Sequence, residues 1–159
     1  MVRKVGISVA AITALLLMVS VAFGQSGHFL TGGSGITCTD IGTQVRCTGK
    51  VAGLGGTTFE ILIEADGIAT VECTNPAGNV APGQDTTVDA AGSTGPVPTP
   101  RNGSFRFNLT TVAPTVPNTP TCPNNKWTAN VTDVTFTSDA TLTLMEDGDV
   151  SDTVTVPIN

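Results

Sequence analysis

Apolar and polar residues alternate along much of the chain, and this period of two restricts the fold more than any other feature. Phe105, Phe107 and Leu109 alternate with polar neighbours, and residues 59–63 repeat the pattern. Successive side chains of a β-strand point to opposite faces, so such runs are typical of half-buried strands. Beyond residues 1–24, no stretch of the sequence has the period of 3.6 that marks an amphipathic helix. The sequence therefore predicts an all-β fold.

The alternating runs predict about nine short strands, packed as an antiparallel immunoglobulin-like β-sandwich over residues 36–159. In one run the apolar residues change parity. They occupy odd positions over residues 127–131 and even positions from Val134 onwards. One extra residue near Thr132 and Asp133 would restore the facing, so we predict a β-bulge there.

Turn-forming residues separate the runs. Asp, Asn and Gly favour the tight turns that join antiparallel strands. On this basis turns are predicted at residues 40–43, 53–56, 66–67 and 147–148. Two longer connections, residues 74–85 and 112–126, are rich in proline, which makes them stiff.

Four cysteines predict two structural disulfides. They are Cys38, Cys47, Cys73 and Cys122. Four cysteines allow three pairings, and we favour Cys38–Cys47 with Cys73–Cys122, because a hairpin around residues 41–44 would place Cys38 opposite Cys47. The second bridge would then tie the two long connections together. A structural zinc site needs paired C-x2-C spacing, and the sequence has none.

Residues 1–24 have the features of a secretory signal peptide: a basic start, a long apolar run and small residues before Gln25. We therefore predict secretion to an oxidising, extracellular compartment, with no membrane contact after cleavage. Residues 25–35 are predicted to be a flexible N-terminal segment. The alternative is a retained N-terminal helix, because residues 3–8 resemble the start of archaeal pilins.

The charge of the chain excludes a nucleic-acid site that works by neutralising phosphates. The sequence has 7 Lys and Arg against 13 Asp and Glu, a net charge of −6. Removal of Arg3 and Lys4 with the leader would leave 5 against 13, a net charge of −8. Nucleic-acid sites need clustered cations. The expected partner is therefore an extracellular protein or surface.

The sequence lacks the usual catalytic constellations, so we predict no enzymatic activity and no cofactor. His28 is the single histidine and lies in the segment predicted to be flexible, which leaves serine nucleophiles without a base. A copper brace made by the N-terminal amine and His28 would need a second histidine, which leaves a weak Cu(II) site of the amine and His28 as the minor alternative to a tail residue without a metal role. Glu60 and Glu64 share a strand face, but about 13 Å of strand separates them, which favours a solvated face over a catalytic pair.

Acidic residues crowd the segment 145–153. Carboxylate oxygens of Glu146, Asp147, Asp149 and Asp152 are suitable ligands for a weak calcium site. Their spacing does not match the helix–loop–helix calcium motif, and a tight Asp-Gly hairpin turn with acidic flanks is the simpler interpretation.

Trp127 is the single tryptophan. Sandwiches of the predicted type often bury a tryptophan against a disulfide between the sheets, so we predict that Trp127 packs in the core. The alternative is an exposed tryptophan in a binding groove. An apolar cleft lined by Phe105, Phe107 and Trp127 would favour carriage of an apolar ligand.

Three stretches resemble an uncharacterised family of small secreted β proteins of actinobacterial type. They contain GKVAGLG within residues 47–55, CTNPAGNVAPGQ at residues 73–84 and CPNNKW at residues 122–127. The resemblance covers most of residues 28–145, and it implies export and a β fold but no activity. The chain also resembles the apoproteins of enediyne antibiotics, which implies carriage of a small apolar ligand.

These observations leave three functional hypotheses. The first is a secreted, non-enzymatic structural or binding module. The second is a subunit of an extracellular filament or coat, because Thr-rich strands of low charge pair readily edge to edge. The third is a carrier of a small apolar ligand between the sheets.

Overall fold

The computed structural model describes residues 26–32 and 35–159, so the predicted signal peptide lies outside the described residues. These residues form an all-β, antiparallel sandwich of two sheets. The predicted fold class is confirmed, although the described residues form eleven strands rather than about nine. No helix in this part of the chain is long and apolar enough to cross a membrane.

The smaller sheet, sheet A, is organised around strand β3. Its strands are β1 (His28–Phe29), β2 (Thr37–Asp40), β3 (Val45–Ala52) and β8 (Ser104–Thr110). One edge of β3 pairs with β1 and β2, and the other edge pairs with β8. The β2–β3 hairpin places Cys38 opposite Cys47, with their Cα atoms 4.1 Å apart in the favoured disulfide.

The larger sheet, sheet B, is organised around one long strand, β4 (Thr58–Thr74). Its other strands are β5 (Val80–Pro82), β6 (Thr86–Ser93), β7 (Val97–Pro98), β9 (Thr128–Phe136), β10 (Ala140–Glu146) and β11 (Asp149–Val156). One edge of β4 pairs first with β10 and then with β9, whereas the other edge pairs with β7, β6 and β5. Strand β11 extends the sheet beyond β10.

Strand β4 corrects the predicted turn at residues 66–67. The apolar alternation continues without a break through Ala65, Gly67 and Ala69, all of which are buried, and the strand continues with it. A Cβ on Gly67 would lie 2.5 Å from Cγ1 of Val134 on β9. The glycine therefore permits the close approach of two strands and does not form a turn.

The β-bulge predicted near Thr132 and the tight turn predicted at residues 147–148 are both present. Thr70 pairs with Asp133 and Val71 pairs with Val131, so Thr132 is the extra residue of a β-bulge. The β10–β11 hairpin turns at Asp147 and Gly148, whose φ angles are 50° and 93°. Positive φ at both positions is the geometry of a tight turn that matches the twist of the flanking strands.

Two apolar clusters stabilise the sandwich. The main cluster lies between the sheets, where Phe59, Ile61 and Ile63 of β4 pack with buried residues of β3 and β10. The second cluster contains Ala69, Val71, Val88 and Val134, and Val116 packs against it. The segment that supplies Val116 also contains the short element α1 (Asn118–Thr121), a turn closed by a hydrogen bond from the N–H of Cys122 to the carbonyl oxygen of Asn118. The Cys73–Cys122 disulfide joins this segment to the end of β4, as favoured from the sequence.

Strand β1 lies within residues 25–35, the segment that the sequence predicts to be flexible. Phe29 is only 4% exposed and pairs with Val51 of β3. Its ring packs edge-on against Phe107, with the ring centroids 6.0 Å apart. Among the described residues the sandwich therefore starts at β1, before the predicted boundary at residue 36.

Candidate functional site

Glu146, the best candidate calcium ligand, binds the protein's own backbone instead. Its side chain is fully buried, with an exposure of 0%. Oε1 accepts hydrogen bonds from the N–H groups of Gly55 at 2.7 Å and Gly56 at 3.2 Å. Oε2 accepts one from the N–H of Gly27 at 2.9 Å and one from the Ser151 hydroxyl at 2.7 Å. The carboxylate thus joins the N-terminal strand to the loop after β3 and to β11.

The pKa values of Glu146 and Asp147 agree with this structural role. Burial raises the pKa of Glu146, but the hydrogen bonds from Ser151 and the backbone amides outweigh burial and lower the pKa overall. Asp147 is exposed, and hydrogen bonds from the side chain and backbone of Thr57 and the backbone of Thr58 lower its pKa to about 2. Both carboxylates are therefore charged at neutral pH.

The remaining members of the predicted calcium set do not converge with Glu146. Oδ2 of Asp152 accepts the N–H of Phe29 at 2.8 Å and so holds β1 in place. Asp149 is exposed and lies across the hairpin from Glu146. Within residues 26–32 and 35–159, no group of three or more acidic, His or Cys side chains is placed to hold a metal ion. The arrangement favours the hairpin interpretation.

The other candidate residues also stay apart. His28 is exposed on β1, with Nδ1 2.9 Å from the carbonyl oxygen of Ser26. Glu60 and Glu64 lie on the outer face of β4, where Glu60 accepts a hydrogen bond from the Ser93 hydroxyl.

Trp127 is half-buried and belongs to neither apolar cluster, which corrects the prediction that it packs in the core. Phe107 packs against Phe29, and Phe105 lies 5.0 Å from Phe59 between ring centroids. Phe107 is therefore part of the main cluster, and Phe105 packs against that cluster. They do not form the apolar cleft with Trp127 that a carrier of a small ligand would need.

The outer face of sheet A concentrates the positive charge of the described residues. Arg46 and Lys50 of β3 and Arg106 of β8 all point away from the core on this face, which we call the cationic face. They are three of the five cations that follow the predicted leader. Lys50 stands directly opposite Arg106 in the ladder, beside Thr48 and Asn108, which also form a pair.

Strand alternation produces this face. Val45, Cys47 and Val51 are buried between the sheets, so the residues between them must point outward. No carboxylate of the described residues forms an ion pair or hydrogen bond with Arg46, Lys50 or Arg106. Like charges directly opposite each other on neighbouring strands are destabilising, by roughly 0.2–1 kcal/mol. The monomer therefore gains no stability from the placement of Lys50 and Arg106.

A groove of about 560 Å³ follows the cationic face. Lys50 and Arg106 line it, together with the polar side chains of Thr48 and Asn108. Two cations next to an amide and a hydroxyl can donate hydrogen bonds to carboxylate, sulfate or phosphate oxygens. The chemistry of this groove therefore suits an anion.

The cationic face is not evident from the net charge of −6, because an overall charge hides a local concentration of cations. The alternation of residues 45–51 and 104–110 already places the cations on outer faces. The pairing of β3 with β8 was not predictable, because more than fifty residues separate these strands in the chain.

Comparisons with known proteins give no relative for this chain: no protein-family model, curated protein or solved structure matches it.

Proposed function

We propose that the protein is a secreted, non-enzymatic binding module with an immunoglobulin-like sandwich fold, and that its cationic face binds an anionic extracellular partner. The observation that carries the proposal is the pair formed by Lys50 and Arg106. The two cations lie opposite each other with no counter-charge in the described residues. An anionic partner would convert this repulsion into attraction to both cations.

The negative net charge of the chain is compatible with this proposal. At physiological ionic strength the Debye length is about 8 Å, so distant carboxylates are largely screened. A partner in contact with Lys50 and Arg106 experiences mainly the local charge. The two disulfides are typical of proteins in an oxidising compartment, which supports an extracellular setting.

The test is the binding of fluorescein-labelled dextran sulfate, measured by fluorescence polarisation. We expect the wild type to bind this polyanion with an affinity that falls as NaCl is added. The variant K50S/R106S should bind at least about tenfold more weakly, because it loses two direct charge contacts.

The matched control is R101S/K126S, which removes the same charge at two exposed positions outside the cationic face. It should bind like the wild type. Equal losses in the two variants would show that only overall charge matters and would refute the proposal. Absence of wild-type binding at low salt would refute it as well.

A further inference from the structure

The outer face of sheet B has the opposite charge to the cationic face. Glu64, Asp66 and Glu72 of β4, Asp89 of β6 and Asp133 of β9 point outward on this face, which we call the acidic face. All five side chains are exposed, and no described residue forms an ion pair or side-chain hydrogen bond with their carboxylates. The two faces lie on opposite sides of the sandwich, so the charge of the described residues is strongly separated.

The acidic face repeats the like-charge arrangement of the cationic face. Asp66 stands directly opposite Asp89 in the β4–β6 ladder, just as Lys50 stands opposite Arg106 in the β3–β8 ladder. Side chains directly opposite each other on neighbouring strands are about 5 Å apart at Cβ. The two pairs therefore have similar spacing and opposite charge.

A groove of about 600 Å³ runs beside the acidic pair. Glu64, Asp66, Asp89 and Asp139 line it. A pair of long cationic side chains from another molecule could enter this groove and contact the carboxylates.

We propose that the cationic face of one copy docks on the acidic face of a second copy of this chain, with Lys50 and Arg106 against Asp66 and Asp89. This inference rests on the proposed function, because it names the anionic partner of the cationic face. The two contact surfaces differ and lie on opposite sides of the molecule, so the contact is heterologous and open-ended. Repetition of the contact produces a chain of copies.

The size of the faces limits the strength of this contact. Sheet A is the smaller partner: its strands contain 2, 4, 8 and 7 residues, which cover roughly 330 Å² from the spacings of a β-sheet. The total is below the ~1,200 Å² of stable interfaces. The association is therefore weak and reversible, and it depends on protein concentration and on salt.

Charge reversal provides the test, with weight-average mass measured by sedimentation velocity as a function of protein concentration. In about 0.1 M NaCl, where the Debye length is about 10 Å, the wild type should form species larger than the monomer. In about 1 M NaCl it should return to the monomer. The variants K50E/R106E and D66K/D89K should each associate at least about tenfold more weakly than the wild type, because like charges then meet at the contact.

An equimolar mixture of the two variants should recover association, because every contact between unlike copies again joins opposite charges. The control R101E/K126E changes the net charge as K50E/R106E does, but outside both faces, and it should associate like the wild type. Wild-type protein that stays monomeric at low millimolar concentration would overturn the inference, and so would a mixture that stays monomeric. If dextran sulfate binding still depends on Lys50 and Arg106, the proposed function survives that failure.

Discussion

Glu146 shows how a single buried charge can be part of the fold. A buried carboxylate is costly unless hydrogen bonds compensate for its lost hydration. Here the amides of Gly27, Gly55 and Gly56 and the hydroxyl of Ser151 provide these bonds. Sequence analysis placed Glu146 in an acidic cluster but could not identify its donors, because Gly27 is 119 residues away in the chain. Glu146 resembles a metal ligand in the sequence, but in the structure it binds the backbone next to β1 and so stabilises the position of that strand.

We expect E146Q to be less stable than the wild type at neutral pH by about 1–3 kcal/mol, because an amide cannot accept all four hydrogen bonds. The pKa of Glu146 in the folded protein is below its ordinary value of 4.5. The ionised group therefore stabilises the fold above about pH 4.5, and this contribution is lost as the pH falls through the lowered pKa. The pKa of Asp147 is lowered from 3.8 to about 2. Its ionised carboxylate therefore stabilises the fold above about pH 3.8, and this stabilisation is lost as the pH falls towards about 2.

Urea unfolding at a series of pH values measures both effects. The stability of the wild type should fall on acidification below about pH 4.5, and E146Q should show a smaller fall. E64Q is the control, since Glu64 is exposed and no described residue bonds to its carboxylate. A fall for E146Q as large as the fall for the wild type, or an E64Q profile that matches E146Q, would contradict this assignment.

At the scale of elements, alternation predicted strands well and failed where glycine had a second role. The β-bulge at Thr132 was predictable because it changes the parity of apolar residues within one strand. The length of β4 was not, because Asp66-Gly67 has the composition of a turn and the contact with Val134 comes from a distant strand. The cationic face was missed for the same reason, since it depends on the pairing of β3 with β8.

The contact between β4 and β9 makes G67A a direct test of this interpretation. A methyl group at Gly67 would come within 2.5 Å of Val134 and 3.0 Å of the carbonyl oxygen of Thr135. Overpacking of this kind costs about 1–3 kcal/mol, which chemical denaturation can measure. The control is G32A, because a Cβ at Gly32 would meet no atom within 4 Å. Equal stabilities of G67A and the wild type would show that residues 66–67 are not packed as a continuous strand.

At the scale of the whole molecule, the sandwich places opposite charges on its two outer faces. Hydrogen bonds of β1 and of Asn159 join the two sheets. Strand β1 pairs with β3 and is bound by Asp152 of β11. Asn159, which follows β11, exchanges backbone hydrogen bonds with Cys38 and Asp40 of β2. These contacts between the sheets involve carboxylates and backbone, whereas the Lys50–Arg106 and Asp66–Asp89 pairs on the outer faces contribute repulsion. Stability and association should respond to salt in opposite directions.

We expect the melting temperature of dilute, monomeric protein to rise by about 1–4 °C between about 0.01 and 0.1 M NaCl. Over this range the Debye length falls from about 30 to about 10 Å, which weakens the repulsion within the Lys50–Arg106 and Asp66–Asp89 pairs. A protein stabilised by surface ion pairs would show the opposite trend. The variant D66N/D89N should melt higher than the wild type at low salt and respond less to added NaCl, because it has lost one of the repulsive pairs. A wild-type melting temperature that falls with salt would mean that favourable charge pairs outweigh these repulsions, and it would contradict this prediction.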